Sequence, residues 1–453
     1  MTSGIVHFGP GAFHRAHQAD YIDRLLRYDP RWAIAAVSLK SAGTIAAMKA
    51  QNGRYTLAIL DAERCFRTIA AHNAFFGPHN ARAIQKQLAD PAVRIVTSTV
   101  TEKGYCLGAD GTLDFTHPDI VHDLGRPDQP SSLIGWLSLG LRDRRVQGKP
   151  SFMPVCCDNM ASNGTKLRDA VIAFAERLDP ELSRWIAEEV SFPNTVVDSI
   201  TPATDDHLRQ LVREATGLDD AIPVSREAYT LWVIENVLLP DSPDLGSVGV
   251  TLTGDVDAWA RAKLRILNAA HSTLAYLGLL TGHKTVAEAM TDPALSAFVE
   301  RLVTRDIIPV LEPSPIDLPS YATETFARFC NPAIQHKLSQ IAWDGSQKLP
   351  YRLLDTLEEA LSRGRPIGRL AVPVAAWILF IERQARAGIP IVDPLSERLV
   401  ALARTDDPIG AILDLAEVFP QRLSGDPAFR RAVTAAASAM RTRGVAAALS
   451  MCA

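Results

Sequence analysis

Gly4-Ile5-Val6-His7-Phe8-Gly9-Pro10-Gly11-Ala12-Phe13-His14 is the stretch whose reading decides the fold. Ile5 to Phe8 has the composition of a buried strand, and a two-glycine turn separates it from a helix-like segment, His17 to Arg27. Strand, glycine turn and helix in that order form the context in which a G-x-G turn wraps a dinucleotide pyrophosphate. Gly9 permits the tight turn, Gly11 lets backbone approach the phosphates, and the helix N-terminus faces their charge. The third fingerprint position is His14, where Gly or Ala is usual. Read alone, the turn is therefore either a nucleotide site or an ordinary βα turn. The residues that would line it are Phe8, Gly9, Pro10, Gly11, Ala12 and Phe13.

Working outward, Ala33 to Leu39, Val93 to Thr101 and Phe152 to Cys157 repeat the short β-branched pattern, with amphipathic or polar segments between them. Such alternation predicts βαβ units and a mostly parallel sheet. The second strand ends at Leu39-Lys40-Ser41, where an acidic residue would hold the adenosine ribose of NAD. With no carboxylate there, and with Lys40 able to meet a 2′-phosphate, both NAD and NADP remain open. Between Leu238 and Asp255 the chain turns to Pro, Asp, Gly and Ser, the chemistry of turns and linkers. We place a boundary there: an α/β Rossmann-like N-terminal domain over 1–254 and a mainly α-helical C-terminal domain over 255–453. Beyond Ala258 the pattern becomes helical and rich in Ala, Leu and Arg, as in Thr356 to Arg363 and Phe429 to Ala448.

Composition removes several classes of function. A formal net charge of −4, from 47 Lys+Arg against 51 Asp+Glu, gives no broad basic field for phosphate backbones, so nucleic acid is not an expected partner. The longest apolar run, Leu370 to Ile381, is shorter than the ~20 residues of a membrane span and contains Pro373. It predicts a buried helix and no membrane partner. A strand so near Met1, with no basic and apolar leader, points to the cytoplasm. Six cysteines without a C-x-x-C pair predict reduced, structural thiols, and neither His14-x-x-His17 nor Cys157-Asp158 belongs to a zinc ligand set.

The stretch most informative about chemistry is Ala260-Arg261-Ala262-Lys263-Leu264-Arg265-Ile266-Leu267-Asn268-Ala269-Ala270-His271-Ser272. On an α-helix advancing ~100° per residue, Lys263, Asn268 and His271 fall within an arc of ~140° and can face one cleft. A lysine desolvated among Leu264, Leu267 and Leu274 suits a general acid/base acting on an alcohol or ketone. Asn268 can donate to a developing alkoxide and His271 can orient substrate or lysine. The alternative is an exposed Lys-Arg stripe beside an Asn and a His that satisfy one another. Asn159, after the strand ending Cys156-Cys157-Asp158, is either a second donor to the substrate oxygen or part of an Asx turn or helix cap. Asp198 either anchors a sugar hydroxyl or sits in a surface turn. Thr101, Glu102 and Lys103, in Thr101-Glu102-Lys103-Gly104-Tyr105, close a strand as a cofactor-and-substrate loop. Asn331-Pro332 and Asp344-Gly345-Ser346-Gln347-Lys348-Leu349-Pro350 read as helix stops, with Lys348 either a loop cation or a substrate ligand.

Together these segments resemble the polyol-specific long-chain dehydrogenase/reductase family, the mannitol dehydrogenase family. The matching elements run from Gly4 to Gln18 through Thr101 to Tyr105, Cys157-Asp158-Asn159, Phe192 to Pro202, Lys263 to His271 and Asp344 to Pro350, in family order over about three quarters of the chain. The resemblance implies a metal-independent, NAD-linked oxidoreductase of carbohydrate metabolism, with NADP an alternative cofactor. It implies Lys263 as general acid/base, Asn159 and Asn268 as the oxyanion-binding pair and His271 as a positioning group. Thr-Glu-Lys-Gly-Tyr, Asp-Gly-Ser-Gln-Lys-Leu-Pro and Gln340 look most like the fructuronate reductase branch, which interconverts D-fructuronate and D-mannonate. The alternative is the mannitol 2-dehydrogenase branch, which interconverts D-mannitol and D-fructose. A sugar acid brings a carboxylate that a polyol lacks, so Lys103, Arg15 and Lys348 are candidate cations for it. A monomer is expected in preference to a large oligomer. A short-chain dehydrogenase would need Tyr-x-x-x-Lys, and no tyrosine here has lysine four positions on.

Overall fold

The computed structural model describes residues 3–108 and 110–450. They divide into two compact units, Met1–Asp257 and Ala258–Ala453. In the first, β1 (Ile5–Phe8), β2 (Ile34–Val37), β3 (Tyr55–Ile59), β4 (Cys65–Ile69), β5 (His72–Phe76), β6 (Ile95–Ser98), β7 (Met153–Cys156), β8 (Thr195–Asp198), β9 (Val224–Arg226), β10 (Leu231–Glu235) and β11 (Thr251–Thr253) form three sheets. The main sheet is parallel throughout, in the order β5-β2-β1-β6-β7. Chain order therefore reverses between β1 and β6, and in open α/β sheets a ligand sits beyond the strand ends at such a switch.

Period-two side-chain alternation explains why these short strands are buried on both faces. Val6, Phe8, Ala35, Val37 and Val96 pack into one apolar layer with Leu137, Leu167 and Phe174 from the covering helices. Ile5, Ile34, Ile95, Met153 and Val155 face the opposite layer with Ala19, Ile22 and Leu25. His7 lies on that second face and is fully buried.

Two small sheets, β4-β3-β9 and β11-β10-β8, were not foreseen. Their antiparallel pairings, β3 with β4 and β8 with β10, come from four- to five-residue strands too short to carry a periodic signal. The segment read as linker contains β11, which pairs with β10 through Val233 and Thr251, so this part of it belongs to the first unit. Asp198 also ends a strand instead of occupying a surface turn, and it is buried.

Among the described residues the second unit contains no strand. Its centre is Gly368–Ala387, the helix predicted from the long apolar run, which packs against Pro427–Arg443 and Ala269–Thr281. Asn331 follows the helix Leu318–Phe329 closely, as a stop would. Asp344-Gly345 does the opposite and begins the helix Gly345–Leu349. Gly345 is required there because a Cβ would stand 2.4 Å from Trp377 Nε1 and 2.7 Å from Tyr276 Oη. No described helix is long and apolar enough to cross a membrane. Cys65, Cys106, Cys156, Cys157 and Cys330 are free thiols, and Cys452 lies outside the described residues.

Candidate active site

In the first unit, strand register sets the site. Phe8 pairs with Val37 and with Ser98, and Ser98 pairs with Cys156. The residues that follow, Gly9, Ser38, Thr99 and Cys157, consequently line up along one sheet edge. The Gly9 turn, Lys40, Thr101–Lys103 and Asn159 all leave from that edge.

Gly9 has φ +89°, and a Cβ there would lie 2.2 Å from the Thr99 carbonyl oxygen, so only glycine fits. Its carbonyl accepts from Thr99 Oγ1 at 2.7 Å and from the Gly11 N–H at 2.7 Å. Gly11 is different: a Cβ would meet nothing of the chain closer than 3.9 Å. That open space beside a turn is what a pyrophosphate cradle requires, and a side chain would fill it. The helix Ala12–Ala16 starts immediately, breaks at His17 and resumes as Gln18–Leu25, earlier and more interrupted than the continuous segment expected from His17. The backbone of Gly9 to Phe13 thus fits a dinucleotide phosphate, whereas the Phe8 side chain belongs to the core.

His14, the departure from the glycine fingerprint, has a structural cause. Its ring stacks on His7 with centroids 3.3 Å apart, and its Nε2 lies 3.0 Å from His72 Nε2. His7 in turn reaches Thr97 Oγ1 at 2.8 Å and the Gly9 carbonyl at 3.1 Å, tying this buried trio to the turn. Burial, the largest cause, pushes His7 and His72 down to about 3 and His14 well below its ordinary value. All three are neutral in the folded unit but take protons when it unfolds below pH ~6.5. Stability is therefore present above that value and lost as pH falls. Each histidine contributes about 1 kcal/mol between pH 6.5 and 5.5, so the first unit should lose ~3 kcal/mol over that unit. Urea unfolding at the two pH values checks this, and an unchanged midpoint would refute it.

Arg15, a candidate cation for substrate, is turned inward. Its Nη1 donates to the Ile222 carbonyl, its guanidinium lies 5.6 Å from the Tyr55 ring centroid, and Tyr55 Oη donates to its carbonyl at 2.8 Å. Lys40 remains at the strand edge, exposed, and pairs with Asp119 at 3.2 Å. Thr101, Glu102 and Lys103 are exposed, Thr101 with φ +68° and the other two in the 3₁₀ turn Glu102–Tyr105.

That loop is pinned by a residue to which sequence reading assigned no role. Asp158 accepts from the Val100 N–H at 2.8 Å and from Tyr105 Oη at 2.7 Å, and burial raises its pKa. Asn163 is the second such residue. Its amide contacts the carbonyls of Cys156, Asp158 and Thr195, holding the turn that presents Asn159. Asn159 itself is exposed, and Ser162 occupies the N-cap position of the helix Asn163–Leu178. The only available signal was an Asn-Gly pair after a strand, which names a turn without naming its bonds.

The segment Val256–Ala262, Lys263–Asn268, Ala269–Thr281, which lies in the second unit from Ala258 onward, is helical, but its middle part is a π-helix. This corrects the regular α-geometry used above. A π-turn bonds i to i+5, so residues five apart stack where an α-helix sets them ~140° apart. Lys263 and Asn268 are five apart and come onto one face. Arg265 and Arg261 pair with Glu359. Lys263 and Asn268 are half-buried and His271 is buried. The His271 ring packs on Phe329 at 4.3 Å and edge-on to His336 at 4.9 Å, and its Nε2 is buried without a partner. Lys348 Nζ lies 3.4 Å from the Ile341 carbonyl.

The groups considered for zinc are engaged otherwise: His14 with His72, His17 with the Leu231 carbonyl, and Asp158 as described. Cys106, His117 and Asp119 place one potential donor each within 4.8 Å, a grouping absent from the sequence reading. Asp119 is committed to Lys40, His117 Nδ1 accepts the Asp119 N–H, and burial pushes the Cys106 thiol up to about 11.

A parallel sheet with a glycine turn at its switch point, followed by a helical unit bearing Lys263, Asn268 and His271, defines a dinucleotide-linked oxidoreductase. Residues 3–245 match the mannitol dehydrogenase Rossmann domain and residues 255–441 the mannitol dehydrogenase C-terminal domain. The chain is similar to D-mannonate oxidoreductase of Escherichia coli, at 39% identity over 98% of this chain and 94% of that protein. Among solved structures it is similar to D-sorbitol dehydrogenase, with a TM-score of 0.92 and 32% identity over 99% of this chain and 95% of that one. Mannitol 2-dehydrogenase of Pseudomonas fluorescens, in a ternary complex with NAD and D-mannitol, aligns at TM-score 0.85 and 35% identity over 100% and 94%. The chain belongs to the mannitol dehydrogenase family and is an oxidoreductase.

Proposed function

We propose that the chain is a metal-independent, NAD-dependent reductase that interconverts D-fructuronate and D-mannonate. The observation that carries this reading is the π-turn that puts Lys263 and Asn268 on one face, one helical turn before the unsatisfied Nε2 of His271. The nicotinamide, when bound, supplies the hydride for the ketone carbon or accepts it in the reverse direction. The turn Phe8 to Phe13 holds the pyrophosphate through its backbone, with Lys40, Thr101 and Glu102 completing the cofactor contacts. Lys40 leaves room for NADP as well.

Lys263 gives a proton from Nζ to the carbonyl oxygen as the ketone is reduced and takes it back in oxidation. The amide N–H groups of Asn159 and Asn268 donate to that oxygen while negative charge develops on it. His271 holds a neighbouring hydroxyl, and Asp198 and Lys348 bind further substrate oxygens. Lys103 is the exposed candidate cation of the first unit, and Arg15, which donates to the Ile222 carbonyl, is the buried one. Support for a sugar acid over a polyol comes from the Thr101–Tyr105 and Asp344–Pro350 motifs, and a D-mannonate oxidoreductase stands among the similar proteins beside polyol dehydrogenases of comparable identity. Initial rates of NADH oxidation with D-fructuronate and D-fructose test it: a higher kcat/KM for the uronate is expected, and a preference for fructose assigns the chain to polyols.

A further inference from the structure

Beyond the proton-transfer residues, the second unit gathers positive charge around His271. Arg328 is buried on the helix Leu318–Phe329, Lys348 is in the last turn of the helix Gly345–Leu349, and Arg352 lies in the π-turn Pro350–Leu354. That π-turn packs against both Lys263–Asn268 and Ala269–Thr281. Burial and then Arg328, Arg352 and Lys348 hold His336 down to about 4. Burial, then His336, Arg328 and Arg352, hold His271 well below its ordinary value, so neither imidazole carries charge, and Arg328 and Arg352 lie close to both.

Arg352 is the member whose charge is least accounted for. Its Nη1 donates to Ser272 Oγ at 3.0 Å, a neutral acceptor. Tyr276 is the one group that favours its charge, and burial holds that phenol well above its ordinary value and so un-ionised. Among the described residues no carboxylate forms an ion pair with Arg352. Three neighbouring polar atoms, His271 Nε2, His336 Nδ1 and Tyr276 Oη, are buried without a partner. A half-buried guanidinium has five donors in a planar fork matched to a carboxylate, and a desolvated charge without a counter-ion is unfavourable. A bound anion would satisfy both conditions.

We propose that Arg352, flanked by Arg328 and Lys348, is a subsite for the carboxylate of the substrate and makes the chain select sugar acids over neutral ketoses and polyols. The proposal rests on the reading that the Lys263 segment is the reaction centre. Arg352 acts on the far end of the substrate and not on the reacting carbon, so its removal should appear mainly in KM.

The test compares D-fructuronate and D-fructose at saturating NADH for the wild type, Arg352→Gln and Arg352→Lys. Arg352→Gln should lower the uronate-to-ketose ratio of kcat/KM tenfold to hundredfold, as expected for loss of a charged hydrogen bond, and Arg352→Lys should restore part of it. Melting temperature and NADH binding establish that each variant is folded. If Arg352→Gln does not fold, Lys348→Met on the same set should shift the ratio in the same direction by a smaller factor. Equal losses on both substrates overturn the subsite, as does a selective loss in Lys103→Gly without one in Arg352→Gln. A wild type that oxidises NADH with fructose but not fructuronate overturns it while leaving the Lys263 mechanism standing. A wild type inactive on every ketone overturns both.

Discussion

Lys263→Ala is expected to lower kcat by at least ~10² at saturating cofactor and substrate, because a positioned general acid/base commonly supplies 10² to 10⁴. The lysine is half-buried at the first position of the π-turn. Its removal leaves the Gly9 turn untouched, so NADH affinity should survive. A stopped-flow or steady-state assay with parallel NADH fluorescence titration separates the two quantities. If NADH binding disappears and the rate at saturation does not fall, Lys263 is structural.

The second large effect concerns the paired amides. Asn159→Ala and Asn268→Ala should each lower kcat by ~10² to 10³, or ~2.7 to 4 kcal/mol of transition-state stabilisation, if both donate to the same developing alkoxide. Asn159 leaves a turn locked by Asn163 and Asp158, and Asn268 closes the π-turn, so the backbone presenting each is held by other residues. Because oxyanion donors act together, the double variant should cost less than the sum of the singles. A loss confined to KM, with kcat intact, would make them ordinary substrate contacts.

Those residues also mark what sequence can carry. Ile5–Phe8, the Gly9 turn and the later strands were legible because buried parallel strands are continuous β-branched runs punctuated by glycine. The small sheets were not, since their strands are three to five residues long and one pairing, β3 with β9, spans more than a hundred residues. The π-turn could not be read because nothing in the composition of Lys263–Asn268 distinguishes i+5 from i+4 bonding. His14 was legible only as a missing glycine. Its reason is a ring stacked on His7 and bonded to His72, two partners that no local pattern connects. The inward turn of Arg15 was not legible for the same reason, because its acceptor, the Ile222 carbonyl, is a long-range backbone atom.

The most direct test of the central claim is product stoichiometry. The purified protein is incubated with NADH and D-fructuronate in the presence of a strong chelator, and NADH loss is compared with D-mannonate formed. The account predicts one mole of D-mannonate per mole of NADH oxidised, at a rate unaffected by the chelator. NADH left unoxidised, or a rate abolished by chelation and restored by a divalent metal, would contradict it.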